Sequence, residues 1–300
     1  MGGLRDAHHF TTENCLANAL PAIKQQLMSH YYTQGGNPCH TQPTKKKAKN
    51  PDRPTDVRDA RRLNLYPSIT GITAMLANDG LTRYKQMMIA EEAFKRPPIG
   101  GEDLQEYTNF LIDKAGKPAE DAANLGSKIH ALLEAYGKGD PVDLTATLTF
   151  PSTSRKVSVS DVIEPVVARV VSLGITALGH EVVAVNTEDG YAGTLDMPWT
   201  TTECLGLMDY KTTKTKPDEP VIPRLTHAMQ LAAGLRAYRA GVVFGAATRA
   251  QNIFISTTEP GRVDVIEYNG AELAEAWEAF KACLVLWRVV NKHDPRKGAA

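Results

Sequence analysis

Between His180 and Thr213 the chain carries three short β-compatible runs, HEVVAVN (180–186), YAGTLDMPW (191–199) and CLGLMDYKTT (204–213), separated only by turn residues. Runs this short are unstable alone and must join a sheet that packs against something else. What surrounds them is helical. LTRYKQMMIAEEAFK, EDLQEYTNFLIDKA, AEDAANLGSKIHALLEAYGKG and SVSDVIEPVVARVVSLG precede the runs with helical spacing of apolar residues, and Ser68 stands where it can cap a short helix from Ile69. RLTHAMQLAAGLRAYRAG follows as a helix, then two strands, QNIFIST and RVDVIEY, then the amphipathic AELAEAWEAFKACLVLWRVVNK. This order predicts an α/β protein: a central mixed β-sheet flanked by helices, plus a helical N-terminal region.

The first 60 residues read differently. ENCLANALPAIKQQLMSHYYT (13–33) is compatible with an amphipathic helix, broken near Pro21. From Lys45 to Arg62 there are eight basic and three acidic residues among turn formers, which reads as a solvated linker or as an arm on a phosphate backbone. The expected organisation is therefore 1–60 as helix and basic linker, and 61–300 as the main domain, with 68–140 as its helical subregion. Over the whole chain 34 basic side chains balance 34 acidic ones, so any attraction for nucleic acid must come from a local groove. Cys15, Cys39, Cys204 and Cys283 lack zinc-like spacing and read as reduced thiols. No apolar run approaches the ~18 residues of a membrane span, and the N-terminus has no apolar signal core, so the expectation is cytoplasmic with no membrane partner.

The runs at 191–199 and 204–213 each contain an aspartate among apolar residues, a residue type that strand interiors avoid. Side chains alternate along a strand, so Asp209 and Lys211 share one face and Tyr210 faces packing on the other. If 191–199 pairs with 204–213, Asp196 and Asp209 come close together. Two such carboxylates repel unless a cation lies between them, and hard oxygen ligands suit Mg²⁺ or Mn²⁺. The plainer reading is an edge-strand acid at Asp196 and an ion pair between Asp209 and Lys211. A second feature weighs against it. On a helical wheel Leu125, Ile129, Leu132, Leu133 and Tyr136 form an apolar stripe, and Gly126, His130 and Glu134 form a row beside it.

GSKIHALLE (126–134), EVVAV (181–185), GTLD (193–196), DYKT (209–212) and a helical Gln230 together resemble the RecB-type PD-(D/E)XK nucleases, among them phage exonucleases and the mitochondrial genome-maintenance exonuclease. YPSITGI (66–72) resembles an opening motif of phage members. The resemblance spans about residues 60–290 and implies a restriction-endonuclease-like core. It implies metal binding by His130, Asp196, Asp209 and the backbone carbonyl of Tyr210, and catalysis by Lys211 together with Asp209, Asp196 and Glu134. Glu134 and Glu181 would bind the metal through water or orient His130, and Gln230 would support the site and contact DNA. Further DNA contacts are expected from Ser127, Lys214, Arg83, Tyr84 and Lys85. The implied activity is a Mg²⁺- or Mn²⁺-dependent DNA exonuclease in phage or bacterial recombination or repair, with DNA ends and a recombination protein as partners and no iron–sulfur cluster. The alternatives are a catalytically silent nucleic-acid-binding protein, or a structure-specific endonuclease or nickase. One departure stands out: the family's Q-x-x-x-Y helix motif has Gly234 in place of tyrosine, with Tyr238 a turn later, and the glycine leaves room for close approach of a nucleotide.

Overall fold

A computed structural model describes residues 30–44, 51–76 and 79–298. Two edge segments come first, β1 (Tyr31–Tyr32) and the hairpin of β2 (Thr41–Pro43) with β3 (Asp52–Pro54). The helix expected over 13–33 lies outside the described residues up to position 29. Its last part is corrected: Tyr31 and Tyr32 are extended and pair with β4 (Tyr66–Pro67). Both tyrosines are buried, and pairing with β4 gives their backbone groups partners. Between them, α1 (Val57–Leu63) is closed at its start by a reciprocal Asp56–Asp59 capping box. Ser68 caps α2 (Ile69–Thr73) as expected, its hydroxyl accepting from the Gly71 N–H.

The helical region consists of α3 (Asp79–Lys95) and a 35-residue α4 (Leu104–Lys138). The sequence suggested two helices where α4 is one, with Pro118 inside it. Pro118 is exposed, so the carbonyl it leaves unpaired can turn to water, and the helix carries through. The polar stretch after α4 holds a hairpin, β5 (Thr147–Phe150) with β6 (Arg155–Ser158), which periodicity did not reveal. Then follow α5 (Val159–Ser172), β7 (Thr176–Ala177), β8 (Val182–Asn186), β9 (Tyr191–Leu195), β10 (Met197–Thr200), β11 (Leu205–Thr213), α6 (Leu225–Tyr238), β12 (Thr248–Ser256), β13 (Val263–Tyr268) and α7 (Gly270–Asn291).

The central sheet has the order β13-β12-β11-β10-β7. Its β11 and β12 are parallel and joined through α6, while its other neighbours are antiparallel, so the sheet is mixed as expected. Helices cover both faces. Leu207, Ala250 and Tyr268 join α6 and α7 in one core, and Met208, Tyr210, Ile253 and Ile255 join α4 and α5 in the other. Successive residues of β11 thus serve opposite cores, as strand alternation requires.

One expectation needs correcting here. The run 191–199 is not a single strand on 204–213. β9 pairs with β8, β10 pairs with β11, and the chain changes sheets at Asp196. Leu195 packs in the α6/α7 core while Met197 packs in the α4/α5 core. In a straight strand those two side chains would share a face, so the backbone has to turn at the residue between them. The aspartate occupies that turn.

Candidate metal centre

Three elements deliver the side chains that converge. His130 comes from α4, whose buried stripe (Leu125, Ile129, Leu133) fixes the helix on the sheet and sets His130 at its edge. Asp196 comes from the break between β9 and β10. Glu181 comes from the residue before β8, with a left-handed backbone (φ 51°) and its N–H donated to the Asp196 carbonyl at 2.9 Å. A non-glycine residue in that region carries strain of order 1–3 kcal/mol. His130 Nδ1 lies 3.4 Å from Asp196 Oδ2 and 4.0 Å from Glu181 Oε1. The three ligand atoms lie within 4.8 Å of one another, and among the described residues this is the one cluster of such groups able to hold a metal ion. One imidazole nitrogen and two carboxylates fit a divalent cation, with the imidazole favouring Mn²⁺ over Mg²⁺.

Asp196 is aimed by the main chain. Its Oδ2 accepts the Tyr210 N–H at 2.6 Å, and the Tyr210 ring turns edge-on to His130. Gly126 lies one turn before His130, where an added Cβ would stand 3.1 Å from Thr212 Oγ1, so α4 approaches β11 closely at this point. Gly126, Ser127, His130, Glu134, Lys211 and Thr212 line the open groove that leads to the cluster.

Asp209 stands outside the cluster. It is buried on the α6 side of β11, with three donors on its carboxylate: Lys211 Nζ at 2.7 Å and Gln230 Nε2 at 2.8 Å on Oδ1, and Asn252 Nδ2 at 2.7 Å on Oδ2. The ion pair between Asp209 and Lys211 foreseen in the plainer reading is therefore present, beside the cluster and not instead of it. Glu134 is engaged by Lys138 on its own helix. Lys214 is exposed at the end of β11. Arg83, Tyr84 and Lys85 lie on α3, where Tyr84 and Lys85 line a separate cavity between α3 and α4. Tyr210 is placed as expected, packed against α4.

Two residues near Asp209 and Lys211 escaped the sequence reading. Asn252 pairs with Asp209 in the parallel register of β11 and β12, is fully buried, and leaves its Oδ1 without a partner. Its signal was a polar pair, Gln251–Asn252, opening an apolar strand. His227, three residues before Gln230, faces Phe254, and burial, with Lys211 and Arg224 adding, pushes its pKa down to about 4.

The expectation that Gly234 admits a nucleotide is corrected. It is buried, and a Cβ there would come 2.5 Å from Leu207 Cδ2 and 2.9 Å from Leu195 Cδ2. The glycine lets α6 lie close on β9 and β11. Tyr238 packs at the margin of the same core.

Proton affinity is raised at His130, Glu181 and Asp209. Burial pushes the Asp209 carboxyl up to about 6, and burial together with Asp196 raises Glu181. Burial works against charge on His130, but the adjacent Asp196 carboxylate outweighs it and raises the ring's pKa. Groups raised in the folded state stabilise it below their unfolded pKa, and that contribution is lost as pH rises through the folded value. A cation held by the cluster would take the place of the protons on His130 and Glu181. The rise in Tm produced by Mn²⁺ is therefore expected to be larger at about pH 7.5 than at about pH 5.5, reaching roughly 5–10 °C at a hundredfold excess over Kd. Thermal melts with and without Mn²⁺ at the two pH values measure it; equal shifts would rule out proton competition at the cluster.

No family model and no curated protein matches the chain. Among solved structures it is similar to "Crystal structure of SSO0001", at 16% identity over 69% of this chain and 86% of that chain, with a TM-score of 0.28. A likeness this low carries no argument about function. Among the described residues no helix is long and apolar enough to cross a membrane, and Cys39, Cys204 and Cys283 are free thiols.

Proposed function

We propose that this protein is a metal-dependent DNA exonuclease of the RecB-like PD-(D/E)XK type. The observation that carries the reading is the convergence of His130, Glu181 and Asp196 beside Lys211, in a groove open along α4. His130, Glu181 and Asp196 would hold Mn²⁺ or Mg²⁺, which when bound supplies Lewis-acid activation of a water and of a phosphoryl oxygen. Lys211 provides an ammonium for the charge that develops on the phosphate, a preorganised electrostatic contribution. Asp209, the second metal-binding acid implied by the resemblance, is assigned here to holding that ammonium, with Gln230 and Asn252 fixing the carboxylate. Ser127, exposed on the groove, and Lys214 are assigned to the DNA backbone, and Arg83, Tyr84 and Lys85 to a strand passing the helical subregion. The N-terminal 60 residues and the domain 61–300 are retained as the proposed organisation.

A time course on end-labelled single- and double-stranded oligonucleotides tests the reading. With Mn²⁺ a ladder that starts at one end is expected, and excess EDTA is expected to abolish it. Closed circular DNA should survive; nicking of the circle would replace the exonuclease by an endonuclease, and binding without any cutting would support a silent nucleic-acid-binding protein.

A further inference from the structure

The groove along α4 is one of two spaces that meet at Glu181 and Asp196. The second is a cavity of about 280 Å³ that shares His30, Thr194, Glu181 and Asp196 with the groove and is lined further by Tyr32 and His40 of the N-terminal segment. Nothing in the sequence pointed to it, because its roof comes from residues 30–40, which read as helix end and linker. That roof is fastened to the sheet. The Ser68 N–H donates to the His30 carbonyl at 2.9 Å, and Tyr32 Oη hydrogen-bonds Thr194 Oγ1 at 3.0 Å, one residue along from Leu195.

Three features of the cavity are informative. Its roof carries a stacked pair of imidazoles, His30 and His40, with ring centroids 4.4 Å apart and planes within 23°. His40 Nδ1 accepts the Tyr31 N–H at 3.3 Å, so its proton sits on Nε2, which is left as a donor. Its inner wall joins the buried Leu207, Met208 and Leu231 to the hydrogen-bonded Asp209–Gln230 pair. Two hydroxyls, Ser68 and Thr70, stand at the side. Flat rings, buried aliphatic side chains and hydrogen-bonding groups lining one small cavity match a planar heterocycle on a sugar. The volume is at the lower end of ligand pockets, of about 300–1,000 Å³, and leaves room for one small ligand. A free anion would be repelled by the acids on the shared wall, so a phosphate fits only at that wall, where the cation neutralises them.

We propose that the His30/His40 cavity is a subsite for the base and sugar of a terminal nucleotide, whose phosphate lies against the His130–Glu181–Asp196 cluster. The inference rests on the nuclease reading of that cluster and adds a reason for acting at ends: a cavity for a single nucleotide accepts a strand terminus and not an uninterrupted chain.

Titration calorimetry on the full chain in Mn²⁺ tests it, with deoxythymidine 5′-monophosphate and 2-deoxyribose 5-phosphate as probes. Stacking of one base predicts at least about tenfold tighter binding of the nucleotide than of the sugar phosphate. His40→Ala is expected to remove most of that difference without changing the Mn²⁺-induced shift in Tm. Because His40 is partly buried, the exposed His30→Ala is the companion variant, and it should reduce the difference in the same direction. Equal affinity for the two probes, or binding of neither, would overturn the proposal, as would an unchanged ratio in both variants. The two readings fail separately. A base-dependent affinity in a protein that cuts no DNA supports the subsite and sinks the nuclease, whereas end-directed cleavage with equal affinities sinks the subsite alone.

Discussion

Asp196→Asn is expected to lower metal-dependent cleavage by about three orders of magnitude, roughly 4 kcal/mol of transition-state stabilisation, while leaving the metal-free protein at least as stable as the parent. The two effects share one cause. Asp196 Oδ2 is held by the Tyr210 N–H at 2.6 Å and faces His130 at 3.4 Å, so an amide of the same shape preserves the packing and the main-chain hydrogen bond. What it removes is the charge. The negative charge on Asp196 helps push Glu181 and Asp209 above the ordinary carboxylate range, so removing it relieves repulsion that offsets the attraction to His130 lost with it. Without it the cation loses one of two carboxylates, and Mn²⁺ affinity falls with the activity. Single-turnover cleavage, Mn²⁺ titration and thermal melts in EDTA give the three readings. A variant that loses activity together with metal-free stability would mean that Asp196 is a structural residue of the β9–β10 break; a variant with parental activity would remove it from the site.

A carboxylate that raises the pKa of its buried neighbours points to chemistry, and such departures from local pattern are what the sequence makes legible. The mixed sheet and its covering helices were legible because strand alternation and helical spacing are local, and they recur here over segments of up to 35 residues. Asp196 and His130 of the candidate cluster were legible because each breaks its local pattern: a charge inside an apolar run, or a histidine beside an apolar stripe. Glu181 was harder to place. Its role depends on a left-handed backbone and a bond to the Asp196 carbonyl, neither of which has a sequence signature outside glycine. The partition of the two aspartates was not legible either. It depends on the strand break at Asp196, and that break reflects two cores drawing Leu195 and Met197 apart, a property of the assembled layers. The roof formed by residues 30–40 was missed for a related reason. Its two-residue strand, Tyr31–Tyr32, is too short for periodicity to detect, and what holds it is long-range pairing with β4 and the Tyr32–Thr194 contact.

Gly234 separates a functional from a packing role. If the missing tyrosine of the Q-x-x-x-Y motif were a defect of the site, Gly234→Tyr would repair it. The packing says otherwise. Even the Cβ of alanine would meet Leu207 and Leu195 at 2.5 and 2.9 Å, and both leucines are buried in the core that α6 shares with α7. Their side chains can shift only by disturbing neighbours, since overpacking a dense interior costs about 1–3 kcal/mol. Gly234→Ala is therefore expected to lower Tm by roughly 3–10 °C, allowing for the helix propensity that alanine gains over glycine. Gly234→Tyr should exceed that range and yield insoluble or unfolded protein, because a phenol ring has no room between α6 and β11. Gln230 sits one turn earlier on the same helix and holds Asp209 at 2.8 Å, so the alanine variant should also lose activity in proportion to any displacement of α6. Circular-dichroism melts of the two variants decide the matter. A stable Gly234→Tyr protein with raised activity would overturn the packing account and restore the tyrosine position to the site.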